Sequence, residues 1–66
     1  MPKSLEELAN MIAKRDNISY TEALAAVRDA AAMMEEAFYN GDLTAAEDVL
    51  HYELGLEPDY LDLFIF

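Results

Sequence analysis

The chain of 66 residues has no cysteine, no tryptophan and no long run of apolar residues. The absence of cysteine excludes disulfide bonds and thiolate-ligated zinc, and it fits a reducing compartment. No segment approaches the ~20 apolar residues that a membrane-spanning helix needs. The N-terminus also lacks the apolar core and cleavage site of a secretory signal. We therefore expect a cytoplasmic protein that makes no contact with membranes.

Positive charge is scarce, and after Arg28 lysine and arginine are absent altogether. Residues 1–28 carry four acids and four bases, whereas residues 29–66 carry ten acids, and the whole chain has a net charge of −10. This distribution repels nucleic acid and anionic membranes, and it attracts basic protein surfaces. We expect a protein partner with a basic surface, and no direct binding of nucleic acid.

Hydrophobic residues make up 55% of the chain, which is too much for a disordered acidic tail. They recur at helical spacing between clear start and stop signals. The start signals are Ser4, Ser19, Asp42 and Pro58, with a capping box from Thr44 to Glu47 that competes with Asp42. The stop signals are Asp16-Asn17, Asn40-Gly41 and Gly55. The sequence predicts a single all-α domain over residues 1–66, with three to four helices. Their predicted bounds are about 5–15, 20–39, 43–54 and 58–64, with the second helix central.

The second helix carries two apolar stripes side by side. One consists of larger residues, namely Tyr20, Leu24, Val27, Ala31, Met34 and Phe38. The other consists of smaller residues, namely Ala23, Ala26, Ala30, Met33 and Ala37. A helix that packs on one neighbour needs only one stripe. We predict that the larger residues face the domain core and that the smaller residues form a homodimer interface.

No arrangement of side chains indicates catalysis. His51 is the only histidine, and it follows Glu47 and Asp48 at helical spacing. A carboxylate-bridged metal site in a helical bundle needs a second such pair, which the sequence lacks. Asp62 interrupts the apolar C-terminal run, and we favour an exposed position for it over a buried general acid. We expect no enzyme activity, no metal and no cofactor.

Two features remain as candidate contact surfaces. The first is an acidic surface, for which the candidate residues are Glu35, Glu36, Asp42, Glu47, Asp48 and Glu53. Acidity also serves solubility alone in many small proteins, so both interpretations stay open. The second is the C-terminal segment Leu63–Phe66, which either closes the monomer core or forms an interface with another chain.

Three segments give the chain a familiar pattern: Arg15–Ala23; Gly41-Asp42 with Ala46, Glu47 and Leu50; and Leu54–Leu61. Together they resemble small acidic helical proteins of unknown function encoded by tailed phages and prophages. This resemblance covers nearly the whole chain, and it implies a host cytosol during infection. It favours an inhibitor of a host nucleic-acid-binding or defence protein, of the anti-CRISPR or anti-restriction type. An antitoxin that binds a basic toxin is a variant of this hypothesis. The alternative is a structural or assembly protein that forms a homo-oligomer.

Overall fold

The computed structural model describes residues 1–65 as three α-helices followed by one short 3₁₀ helix. Helix α1 spans Leu5–Asp16, α2 spans Tyr20–Tyr39, α3 spans Leu43–Leu54, and the 3₁₀ helix spans Pro58–Phe64. The prediction of an all-α fold with three to four helices is confirmed. The bounds agree within one residue, and the last segment is wound as a 3₁₀ helix. No helix in this range is long and apolar enough to cross a membrane.

Each α-helix begins at a polar side chain that satisfies a free backbone N–H of the first turn. The Oγ atom of Ser4 accepts from Glu7 at 3.1 Å, Ser19 Oγ accepts from Glu22 at 3.1 Å, and Asp42 Oδ1 accepts from Ala45 at 3.0 Å. The Ser19 hydroxyl also donates to the Glu22 carboxylate at 3.1 Å. These caps explain why the helix starts could be predicted from the sequence.

The three α-helices end at residues with left-handed backbone conformation, Asn17, Gly41 and Gly55. At each end the next residue donates its N–H back into the last turn. The bonds are Ile18 to Ala13 at 3.0 Å, Asp42 to Ala37 at 2.9 Å and Leu56 to Leu50 at 3.0 Å. The last of these folds Leu56 back onto the helix, and its side chain is buried there, as expected at such a helix end.

Helix α2 is central, because it packs against α1, α3 and the 3₁₀ helix. The buried side chains in residues 1–65 are all apolar, and the largest are Phe64, Leu8, Met34, Leu50 and Val27. No buried side-chain nitrogen or oxygen in this range lacks a hydrogen-bond partner. Apolar burial therefore holds the interior together, and residues 1–65 place no polar network inside it.

The predicted dimer stripe on α2 faces inward. Ala23, Ala30 and Ala37 are buried within the single chain, with Ala30 only 1% exposed. Ala26 is half-buried, and Met33 alone is exposed, at 45%. The structure therefore contradicts the assignment of the three buried alanines to an interface with a second copy. Homodimer formation itself stays a prediction.

The alanines predicted to form an interface are buried because the centre of the buried face of α2 lies between the two predicted stripes. The buried positions of α2 are Ala23, Val27, Ala30, Met34 and Ala37, which alternate spacings of four and three. They take members from both stripes. Two elements of the same domain, α1 and α3, pack on α2. They cover the wide apolar face of α2 within one chain.

The C-terminal segment closes the monomer core as far as Phe64. The ring of Phe64 is fully buried, and Leu61 and Leu63 are half-buried beside the core. Asp62 is exposed, as favoured by the sequence. Ile65 is 57% exposed, and Phe66, which belonged to the same prediction, lies outside the described residues.

Candidate protein-binding surface

The six candidate acids are all exposed, and they lie on two elements. Glu35 and Glu36 belong to the last part of α2, and Asp42 caps the start of α3. Glu47, Asp48 and Glu53 follow along α3. The structure thus places the predicted acidic surface on α2 and α3.

These acids do not form one flat patch. Glu36 and Asp42 border a groove between α2 and α3, the α2–α3 groove, whose lining residues are Met33, Glu36, Ala37, Asn40, Asp42, Ala45 and Val49. Glu35 instead borders a second groove, the terminal groove, lined by Glu35, Phe38, Leu43 and Ile65. Consecutive residues of a helix point about 100° apart. Glu35 and Glu36, although adjacent on α2, therefore lie on different sides of the molecule.

On α3, Glu47 and Asp48 lie with His51 on an exposed part of the helix. The His51 ring contacts the edge of Tyr52, with ring centroids 4.7 Å apart. Within the described part of the chain, no group of three or more histidine, aspartate or glutamate side chains is placed to hold a metal ion. His51 is thus a surface residue next to an aromatic ring.

None of the six acids has a cationic partner in the range 1–65. The salt bridge recorded there joins Arg15 to Asp16, with Nε and Oδ1 2.8 Å apart. Of the six, only Asp42 has a visible role in folding, as the cap of α3. The negative charge of the other five is therefore not used by any intramolecular contact of the described residues.

Arg15 has a structural role that the sequence did not predict. Its guanidinium donates to the carbonyl oxygen of Leu54 at 2.7 Å and to that of Gly55 at 3.3 Å. It also holds both carboxylate oxygens of Asp16, at 2.8 and 2.9 Å. The hydrogen bond from Arg15 lowers the pKa of Asp16 below its ordinary value of 3.8.

This contact joins the end of α1 to the end of α3, two elements about forty residues apart in sequence. A cation at a helix C-terminus is stabilised by the helix dipole and by the free carbonyl groups there. Arg15 also lies in the last turn of α1 itself, where the dipole of its own helix favours a cation. Nothing local in the sequence indicates that its side chain reaches across to α3.

Several large apolar side chains are also exposed close to the acids. Met33 lies in the α2–α3 groove, whereas Leu43, at 59% exposure, and Ile65 lie in the terminal groove. Leu43 is the first residue of α3, where the helix has only begun to pack on α2.

No protein-family model, curated protein or solved structure matches this chain.

Proposed function

We propose that this protein is an acidic binding module that occupies a basic surface on another protein. The observation that carries this proposal is the set of exposed acids on α2 and α3 that have no cationic partner among residues 1–65. A rigid helical frame holds these charges at set positions. Such an array complements a surface built to bind phosphates, which needs lysine and arginine.

The concrete form of the proposal is an inhibitor of a nucleic-acid-binding or defence protein, of the anti-CRISPR or anti-restriction type. The resemblance to small acidic phage proteins supports this setting. In this role the chain competes with nucleic acid for the basic surface of its target and does not itself touch nucleic acid.

A pull-down from bacterial lysate tests this proposal. The bait is the full chain, and the matched control is a five-acid variant that combines Glu35→Gln, Glu36→Gln, Glu47→Gln, Asp48→Asn and Glu53→Gln. Asp42 stays, because it caps α3. We expect the full chain to capture a nucleic-acid-binding protein at low salt, and the five-acid variant to lose it. Equal capture of the same partner by both baits contradicts the proposal.

The alternative function is that of an assembly protein, whose acidity serves only solubility. Leu43 and Ile65 are exposed together in the terminal groove, and Met33 is exposed in the α2–α3 groove. These exposures favour the assembly function, because exposed apolar groups are typical of contacts between chains. Met33→Glu then halves the mass measured by light scattering. Ala32→Glu, at an exposed position on the same helix, is the control that leaves the mass unchanged. A wild-type chain that is monomeric at high concentration rules the alternative out.

A further inference from the structure

The α2–α3 groove differs from the rest of the acidic surface, because it combines an apolar floor with an acidic border. Its floor consists of Met33, Ala37, Ala45 and Val49, and its border includes Glu36 and Asp42. Ala37 is buried, Ala45 and Val49 are half-buried, and Met33 is exposed at 45%. A partner can therefore gain both apolar contact and charge pairing at the same place.

The acidic border continues beyond the lining residues in both helices. Asp29 precedes Glu36 by seven residues on α2, and Glu53 follows Val49 by four residues on α3, so each lies on the groove side of its helix. Both are exposed. No lysine or arginine occurs after residue 28, so α2 from Asp29 onward and all of α3 bring no cation to this border.

We propose that the α2–α3 groove binds a short amphipathic helix with an apolar line flanked by lysine and arginine. Charge complementarity selects this occupant, because a neutral apolar segment leaves Glu36 and Asp42 facing uncharged groups. The span from Met33 to Asn40 is about 10 Å along α2, or two helical turns. Methionine adapts its shape to different apolar partners, and an amphipathic helix laid in an apolar groove is a common mode of peptide recognition.

This inference rests on the proposed function and makes it narrower. The proposed function needs only a basic partner and uses all the exposed acids. The groove inference requires an apolar contact as well, and it assigns the charge pairing to the acids that border the groove, such as Glu36 and Asp42, rather than to Glu35 and Asp48.

Three synthetic peptides of about 14 residues, or four helical turns, test the inference against the full chain. The first has leucine at helical spacing with lysine elsewhere. The second has the same composition in an order without an apolar face, and the third keeps the leucines and replaces lysine by glutamine. Affinity and backbone amide chemical shifts are measured by NMR titration at about 0.15 M salt. The Debye length is then ~8 Å, so charges further apart than this are largely screened.

We expect the first peptide to bind at least about 10-fold more tightly than the other two, because each lacks one of the two kinds of contact. The largest shifts should fall at Met33, Ala45 and Val49. Equal binding of the first and second peptides, or no binding of the first, overturns the inference. Shifts centred on Leu43 and Ile65 overturn it as well, because they place the peptide in the terminal groove.

Two double variants provide a matched comparison. Glu36→Gln with Asp42→Asn removes two charges from the groove border, and asparagine still caps a helix. Glu35→Gln with Asp48→Asn removes two charges from the same two helices outside the groove. We expect the first pair to weaken binding of the lysine–leucine peptide by about 10-fold and the second by less than about 3-fold. Equal weakening by both pairs shows long-range attraction alone, and the inference then fails.

Failure of the inference is distinguishable from failure of the proposed function. If the scrambled lysine peptide binds as well as the ordered one, the acidic surface attracts cations and the proposed function stands. If no lysine peptide binds even at 0.05 M salt, where the Debye length is above ~10 Å, neither statement holds.

Discussion

The charged residues of segments 1–28 and 29–65 are used in different ways. In the first segment, acids and bases balance, and Arg15 ties α1 to the end of α3 through hydrogen bonds. In the second segment, Asp42 caps α3, and the other candidate acids make no hydrogen bond or salt bridge within the described residues. Apolar burial holds both segments together. The candidate acids of the second segment are exposed and have no cationic partner among residues 1–65.

The largest effect is expected from a charge placed in the buried line of α2. Ala30→Glu puts a carboxylate where the side chain is 1% exposed, with no cation after residue 28 to pair with it. An unpaired buried charge destabilises a protein by about 3–5 kcal/mol or more, which is enough to unfold a domain of this size.

Circular dichroism measures this effect through the loss of helical signal. Ala32→Glu, two residues further on at an exposed position, is the control that should fold normally. An Ala30→Glu chain that folds as stably as the control would contradict the burial of Ala30 in the core of the single chain.

The second prediction concerns the anchor of the C-terminal segment. Phe64→Ala removes a fully buried ring and should lower the free energy of unfolding by about 3–5 kcal/mol. The neighbouring Ile65→Ala changes a side chain that is 57% exposed, so its effect should be below about 1 kcal/mol. Urea denaturation compares the two variants. Similar losses for both would show that the segment does not enter the core through Phe64.

The third prediction concerns the hydrogen bonds that Arg15 of the first segment makes to the end of α3. Arg15→Gln removes the charged hydrogen bonds to Leu54 and Gly55 and should lower the free energy of unfolding by about 1–2 kcal/mol. Lys14→Gln, in the same turn, is the control and should change little. An Arg15→Gln chain as stable as wild type would show that α1 and α3 do not depend on this contact.

The difference in stability between wild type and Arg15→Gln is expected to depend on pH. The pKa of Asp16 is lower in the folded state than its ordinary value of 3.8. The contribution of the Asp16 carboxylate to the free energy of unfolding is therefore fully present above pH 3.8. It is lost as the pH falls through the lower folded-state pKa. The stability difference between wild type and Arg15→Gln should therefore narrow below about pH 4. A difference that stays constant down to pH 2 would contradict this role of Asp16.

The smallest effect is expected from the unpaired acids themselves. The five-acid variant should have a Tm equal to that of wild type or higher by about 0–5 °C at low salt, because like charges repel each other in the folded state. Added NaCl should raise the Tm of wild type more than that of the variant. A large loss of stability in the variant would mean that these acids support the fold.

The fold was predictable because its signals are local. Ser4, Ser19 and Asp42 each cap a helix through a residue three positions on, and Gly41 and Gly55 end helices through their own backbone conformation. The contact of Arg15 with Leu54 was not predictable, because it joins residues 39 positions apart and no local pattern encodes that pairing.

The assignment of the small residues of α2 to a dimer interface was wrong for a different reason. Alanine fits both a tight contact with another chain and a crowded core, so the stripe of Ala23, Ala30 and Ala37 could not be assigned from residue type. The exposure of the acids was predictable, since unpaired carboxylates are rarely buried. Which groove Glu35, Glu36 and Asp42 border depends on how α3 is rotated against α2, which the sequence pattern does not specify.

The salt dependence of partner binding tests most directly whether the acids of segment 29–65 form the contact surface. The measurement is the dissociation constant of the complex recovered from lysate, at 0.05 and 0.3 M NaCl, for wild type and the five-acid variant. We predict that the affinity of wild type falls at least about 10-fold over this range, and that the variant binds weakly at both concentrations. A complex with the same affinity at both salt concentrations, formed equally well by the variant, would contradict the account.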